Sequence, residues 1–150
     1  MAIRAFAPGW QVRTIRIGGS DVTDTAVTVG NQGLSGVEVE MTNQVQEISG
    51  AVTDANGRAV RDYVVWMFAQ DRSRWAAAFN RYVTWTRSDT DGRFKIASLP
   101  AGDYYAIAVS DAEAAEGQDP EFLEGLSRVA NTVSLASGEK RRLDLLFSGQ

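Results

Sequence analysis

Apolar and polar residues alternate along short stretches through most of this chain, which is the period-two pattern of strands with one buried face. The clearest pair is residues 94–99 and 104–109, and a glycine-containing turn precedes each. Counting from Ile48, the pattern predicts seven strands separated by turn signals. Such spacing is typical of an all-β, two-sheet Greek-key sandwich.

The stretch of residues 63–69 differs from the others because both of its faces are apolar. Val64, Trp66 and Phe68 alternate with Tyr63, Val65 and Met67. A strand that is apolar on both faces is covered on both. We therefore predict a core strand, with Trp66 and its two same-face neighbours buried.

Residues 111–130 interrupt the alternation and predict one crossover helix. Asp119 suits the N-cap, Pro120 the first helical position and Glu121 the first turn. One apolar stripe then follows at helical spacing: Phe122, Leu126 and Val129. Residues 133–135 and 142–147 alternate again and predict the last two strands, with a turn at residues 137–139 between them.

The N-terminal part predicts three further strands, at Gln11–Ile17 and at residues 25–29 and 36–42. Three strands alone do not bury two sheet faces. We therefore divide the chain into an N-terminal β segment, residues 1–44, and a sandwich, residues 45–150.

Composition narrows the function classes. The hydrophobic share of 44% and charged share of 23% are those of a folded protein. A net charge of −4 argues against a nucleic-acid partner. Histidine and cysteine are both absent, which excludes a histidine base, a thiol nucleophile and disulfides. No apolar run reaches the roughly 18 residues of a membrane span.

Three motifs resemble the carboxypeptidase regulatory-like domain, of the transthyretin-like and bacterial surface B-type sandwiches. They are Ile48-Ser-Gly-Ala-Val-Thr-Asp54 with Asn56-Gly57, Thr86-Arg-Ser-Asp-Thr-Asp-Gly-Arg-Phe94, and Leu99-Pro-Ala-Gly-Asp-Tyr-Tyr105. The likeness covers about residues 46–147. It implies a prealbumin-like sandwich without catalysis, so we predict no enzyme, no catalytic or metal residue and no cofactor.

The same resemblance implies a structural or adhesive module of an exported multidomain protein, extracellular, periplasmic or at the cell surface, with any export signal outside this chain. Residues 10–42 look like the closing strands of a preceding similar domain, so we expect the C-terminal part of a larger protein. Expected partners are other domains of that protein or further copies of this chain. A three-strand remnant carries unpaired edges, and strand or edge pairing between copies would build a polymer.

Related surface domains contain lysine isopeptide bonds, which need a buried lysine. Here Lys95 alternates outward and Lys140 falls in a predicted turn, so no such bond is expected. Asp89-Thr-Asp-Gly92, with Asp54 and Asn56, offers oxygens to calcium. Position 12 of an EF-hand loop counted from Asp89 is Pro100 rather than glutamate, and turn capping explains these residues more simply.

Carbohydrate binding is the alternative function. Candidate ligand-binding residues cluster around one loop: Trp75, Phe79, Tyr82 and Trp85, with Arg74 beside them. Exposed aromatic rings of this kind stack on sugars. The competing interpretation is packing, in which Tyr82 and Trp85 cover the sheet and Trp75 folds over it as a lid. An acid-only hydrolase is a third hypothesis, and it requires two carboxylates in a deep pocket.

Overall fold

The computed structural model describes residues 3, 5, 7–25, 27–75, 81–97, 99–110 and 120–148. The chain divides into two compact units, Met1–Val45 and Gln46–Gln150. The strands of the first unit are β1 Gln11–Ile17, β2 Ser20–Asp21 and β3 Val37–Thr42. Those of the second unit are β4 Glu47–Thr53, β5 Val64–Ala69, β6 Val83–Arg87, β7 Arg93–Ala97, β8 Gly102–Val109, β9 Asn131–Leu135, β10 Lys140–Arg142 and β11 Leu145–Leu146. One α-helix, α1 Pro120–Ser127, lies between β8 and β9.

The first unit is an antiparallel sheet in the order β2-β1-β3. The register of β1 against β3 shifts between Val12 and Thr14, which marks a β-bulge in β1. The predicted strand at residues 25–29 is wrong, because its described residues are not extended in a sheet. The Thr23 hydroxyl accepts a hydrogen bond from the Ile15 amide and donates one to the Asp21 carboxylate. A turn capped by these side chains therefore lies beside β1.

The second unit is the predicted β-sandwich. One sheet places β4 at its centre, with β7 on one side and β10 followed by β11 on the other. The other sheet has the order β6-β5-β8-β9. Counting β10 and β11 as one broken strand gives seven, as predicted.

The core between the sheets is built from the alternate apolar positions of both. One sheet contributes Ile48, Val52, Phe94, Ile96 and Leu145, and the other contributes Val65, Met67, Ala106, Ala108, Val133 and Leu135. This is the physical reason for the alternation in the sequence, since every second side chain of each strand faces the opposite sheet.

A second core lies on the outer face of the β6-β5-β8-β9 sheet. Val64, Trp66 and Phe68 are buried as predicted, but they face α1 rather than the opposite sheet. Trp66 contacts Phe122 edge-on, with ring centroids 5.7 Å apart. The five residues from 64 to 68 are 1% exposed or less, because β5 is sandwiched between two cores.

Helix α1 packs on this outer face through apolar side chains that are not all those predicted. Phe122 and Leu126 pack against the second core, as expected, but Val129 is 66% exposed. The helix ends at Ser127, so Val129 lies beyond it, and Leu123 is the fully buried anchor instead. Asp119, the predicted N-cap, lies outside the described residues.

The predicted final strand at residues 142–147 is wrong as one element, since β10 and β11 are separated at Leu143 and Asp144. Lys140, predicted in a turn, begins β10. Both strands pair with β4 in parallel. Between them the Leu143 amide donates to the Ser49 carbonyl at 2.8 Å, and an Asp144 carboxylate oxygen accepts the Ala51 amide at 3.1 Å. The Asp144 side chain thus replaces a backbone acceptor at the break.

Candidate functional site

Trp75, the central member of the candidate sugar-binding cluster, is buried. Its side chain is 6% exposed and meets the Phe68 ring edge-on at 5.4 Å. Its indole N–H donates to the Ala69 carbonyl at 2.6 Å. The 3-10 turn Arg72–Arg74, capped by Asp71, delivers Trp75 to this position. Trp75 therefore packs as a lid on the second core, on the outer face of the β6-β5-β8-β9 sheet.

The other described members of that cluster face different surroundings. Tyr82 is half-buried against the core between the sheets, and the Arg74 guanidinium lies 4.2 Å from its ring centroid. Trp85 is 49% exposed on β6, with its ring 6.3 Å from that of Trp66. Phe79 lies outside the described residues. The structure thus separates Tyr82 from Trp85 by sheet face, and a sugar site on this loop stays a prediction.

The aspartates of the two tight turns cap backbone amides in the same way. Asp54 Oδ1 accepts the amides of Asn56 at 2.8 Å and Arg58 at 3.0 Å. Asp89 Oδ1 accepts the amides of Asp91 and Arg93, each at 2.9 Å. Gly57 and Gly92 close the turns with positive φ angles of 79° and 76°. The repeated Asp-x-Asn/Asp-Gly-Arg pattern is therefore a structural turn.

Two titratable side chains in the described part of the chain have shifted pKa values, Asp71 and Tyr63. There, no three His, Cys, Asp or Glu side chains are grouped so as to hold a metal ion. Hydrogen bonds from the Ser73 hydroxyl and amide lower the pKa of Asp71, which keeps this capping carboxylate charged. Burial, followed by the nearby Asp89 charge, raises the pKa of Tyr63 to about 12. The Tyr63 phenol donates to the Gly92 carbonyl at 2.7 Å and is a structural group.

Both lysines lie on the solvent face of the β4 sheet. Lys95 Nζ is 3.4 Å and Lys140 Nζ 3.5 Å from the same carboxylate oxygen of Glu47. Each lysine side chain is about two thirds exposed, at 64% and 67%. An isopeptide bond needs its amine enclosed in the core, and neither lysine is placed for it.

Sequence reasoning missed the residues that join the first and last strands of the sandwich. Gly50 lies under the break between β10 and β11, where an added Cβ would overlap the Leu143 carbonyl oxygen and meet its carbon at 2.7 Å. Asp144 and Glu47 bridge β4 to its neighbours. The available signal was weak: a glycine inside an alternating strand marks a close backbone approach.

In the part of the chain that the structure describes, no helix has the length and apolar character needed to cross a membrane. The helix α1 has eight residues.

Solved structures similar to this chain include two pilins and an enzyme domain. A streptococcal ancillary pilin matches with 15% identity and a TM-score of 0.42, over 69% of this chain and 32% of its own. The major pilin subunit of Bacillus cereus matches with 10% identity and a TM-score of 0.38, over 93% of this chain and 56% of its own. The dioxygenase domain of a dioxygenase carbohydrate-binding protein fusion from Streptomyces sp. SirexAA-E matches with 11% identity and a TM-score of 0.40, over 68% and 78% respectively.

This chain thus spans about a third of the ancillary pilin and just over half of the major pilin subunit. No curated protein sequence matches it significantly. The sequence model of the carboxypeptidase regulatory-like domain, however, matches residues 47–146, which is most of the chain and nearly all of the sandwich. On that match and the two-sheet architecture, this chain belongs to the carboxypeptidase regulatory-like domain family.

Proposed function

We propose that this chain is a non-catalytic, force-bearing structural module of an exported or cell-surface multidomain protein. The observation that carries the proposal is the parallel pairing of the first sandwich strand, β4, with the last, β10 and β11. Family membership supports a module role, because the matched domain is regulatory-like rather than a catalytic unit. Partners would be neighbouring domains or further copies of the chain.

Parallel pairing of these strands determines how a pull on the sandwich is resisted. Force applied before β4 and after β11 drags the strands past one another along their length. Every hydrogen bond between them is then loaded together, rather than one after another. The bonds outside the regular ladder are Glu47 N to Glu139 O at 2.9 Å, Leu143 N to Ser49 O at 2.8 Å, Ala51 N to Asp144 Oδ1 at 3.1 Å, and Phe147 N to Thr53 O at 2.8 Å.

Two further features support mechanical resistance. β4 is held on its other side by β7 over five residue pairs, so the loaded strand lies inside its sheet. Apolar side chains beneath it, Ile48 and Val52, are completely buried. Sliding β4 along β10 and β11 would therefore break the backbone hydrogen bonds and also expose these apolar side chains to water. Exposing apolar surface costs about 25 cal/mol per Å².

Single-molecule pulling tests the proposal, and the absence of cysteine makes the attachment points unambiguous. Handles at Asn43→Cys and Ser148→Cys load β4 against β10 and β11 in shear. Handles at Asn43→Cys and Ser137→Cys pull the same strands apart from one end. We expect the shear pair to unfold in one event at clearly higher force than the peeling pair.

Equal unfolding forces for the two handle pairs would contradict the proposal, since the parallel pairing would then give no mechanical advantage. Asn43, Ser137 and Ser148 are all exposed, which makes the three cysteine positions tolerable. Unfolding of each handle variant in denaturant, without force, provides the stability control.

A further inference from the structure

Strand β3 of the first unit leaves one edge unpaired in the described part of the chain, where it pairs with β1 alone. Its residues alternate Val37-Glu38-Val39-Glu40 and are all exposed. Val37 and Val39 are 37% and 40% exposed, although valine is normally buried. A strand of this kind presents apolar side chains on one face, carboxylates on the other and unused backbone donors and acceptors along its edge.

Strand β7 of the second unit presents the complementary edge. Within the described residues it pairs with β4 alone. Its apolar members, Phe94 and Ile96, face the core, and its outward members, Arg93 and Lys95, are exposed and basic. Basic residues therefore alternate with apolar residues along β7, whereas acidic residues alternate with apolar residues along β3.

The other sandwich edges fit an acidic strand less well. The β10 edge is basic, but it ends after three residues at the break occupied by Leu143 and Asp144. The described residues of β9 include no charged side chain. Strand β6 carries the bulky, half-exposed Trp85. The five-residue β7 edge is the uninterrupted one with alternating positive charge.

We propose that β3 of one copy adds to the β7 edge of a second copy of this chain. In an antiparallel register Glu38 lies opposite Lys95 and Glu40 opposite Arg93, while Val37 and Val39 extend the apolar face of β7. A parallel register pairs Glu38 with Arg93 and Glu40 with Lys95. Opposite charges directly across strands stabilise pairing, and like charges oppose it.

The existing ion pairs of these residues do not prevent the exchange. Glu40 lies 3.4 Å from Arg13 and 3.8 Å from Arg16, and Lys95 lies 3.4 Å from Glu47. The Glu40 pairs are exposed at both partners, and Lys95 is 64% exposed although Glu47 is only 25% exposed. Exposed ion pairs add little to stability. By contrast, self-pairing of β3 with β3 would place Glu38 against Glu40 and is disfavoured.

The two edges belong to different strands of the chain, so the contact between copies is heterologous. Each copy can offer β3 to one neighbour and β7 to another, which yields an open-ended assembly unless the rotation closes a ring. This inference rests on the proposed structural function and identifies the partner as a second copy held by strand addition.

Charge reversal with mixing tests the pairing on the full chain. Variant one carries Glu38→Lys and Glu40→Lys, and variant two carries Arg93→Glu and Lys95→Glu. Wild-type mass, followed by sedimentation over a concentration series, should grow with concentration. Each variant alone should associate roughly tenfold or more weakly, since favourable cross-strand pairs become repulsions. An equimolar mixture should recover the association, because acidic and basic edges are again matched.

A matched control for variant one reverses two carboxylates on neither edge, Asp62→Lys and Glu121→Lys, and changes the net charge in the same direction and by the same amount as variant one. This control should associate like the wild type. Circular dichroism and melting establish that each variant is folded. Glu38→Lys and Lys95→Glu as single substitutions repeat the mixing test for the antiparallel register, with less disturbance of the Glu40 ion pairs.

Wild-type chain that stays monomeric, a mixture that does not recover, or a control that associates as weakly as the variants would overturn the inference. A monomeric chain that still unfolds at higher force in shear than in peeling would leave the structural function standing. A chain that associates but unfolds at equal force in both geometries would contradict the proposed function and leave the strand addition standing. The two failures are therefore distinguishable.

Discussion

Gly50 is the residue at which the first and last strands of the sandwich come closest. Its missing side chain leaves room for the Leu143 carbonyl, and the Phe94 ring lies 3.2 Å from where a Cβ would stand. The backbone of Gly50 does not have a positive φ, so the requirement is for space rather than for a left-handed conformation. Contacts from other strands impose this requirement.

Gly50→Ala should therefore destabilise the chain by about 1–3 kcal/mol or more, since the neighbouring group is backbone and cannot move aside freely. The same substitution at Gly125 is the control. An added Cβ at Gly125 meets nothing within 4 Å, and the residue lies in α1. Gly125→Ala should stabilise by up to about 1 kcal/mol through helix propensity. Chemical unfolding of the two variants measures both, and equal effects would refute the argument.

The turn residues behave differently from Gly50, because their roles are local and were readable in advance. Asp54 and Asp89 were predicted to cap tight turns, and each accepts two amides of its own turn. The glycine in the turn before residue 94 is Gly92, which adopts a positive φ angle of 76°. A contact between residues two to four positions apart depends on the local sequence alone.

At the scale of elements, β5 and α1 make the second core. The sequence identified β5 as covered on both faces, and both are buried. It did not indicate what covers each face, because an apolar side chain has no preference between a helix and a sheet as its neighbour. The predicted helical stripe was correct for Phe122 and Leu126 and wrong for Val129.

Leu123→Ala should cost about 2–5 kcal/mol of unfolding free energy, because Leu123 is completely buried between α1 and β5. Val129→Ala is the matched control and should stay within about 0.5 kcal/mol, as a substitution of an exposed residue. Denaturant unfolding monitored by tryptophan fluorescence reports both. A larger loss for Val129→Ala would restore the predicted stripe and contradict the observed one.

At the scale of the whole molecule, the parallel contact of β4 with β10 and β11 joins residues almost a hundred positions apart. Asp144 illustrates this, since its carboxylate accepts the Ala51 amide at a separation of 93 residues. That bond spans the break that the C-terminal strand makes beside Gly50. Under the proposed function, it is one of the hydrogen bonds that a pull on the two terminal strands would load.

Asp144→Ala should lower the unfolding force in the shear geometry, because the Ala51 amide loses its acceptor in a loaded interface. Asp144→Asn keeps an acceptor oxygen at the same position and should retain most of the wild-type force. Single-molecule pulling from Asn43→Cys and Ser148→Cys gives the comparison. A loss as large for Asp144→Asn as for Asp144→Ala would assign the effect to charge instead of the hydrogen bond.

The sequence by itself determined the fold class, most strand positions, the capped turns and the burial of both faces of β5. These features follow from side-chain periodicity and from contacts within a few residues. Only the tertiary structure decided that Trp75 packs as a lid, that Leu123 anchors the helix, and that Gly50 and Asp144 join the terminal strands. It also placed the acidic strand β3 and the basic strand β7 at sheet edges within the described residues. These features depend on which distant backbone segments meet, and a period-two pattern specifies the face of a residue without specifying its partner.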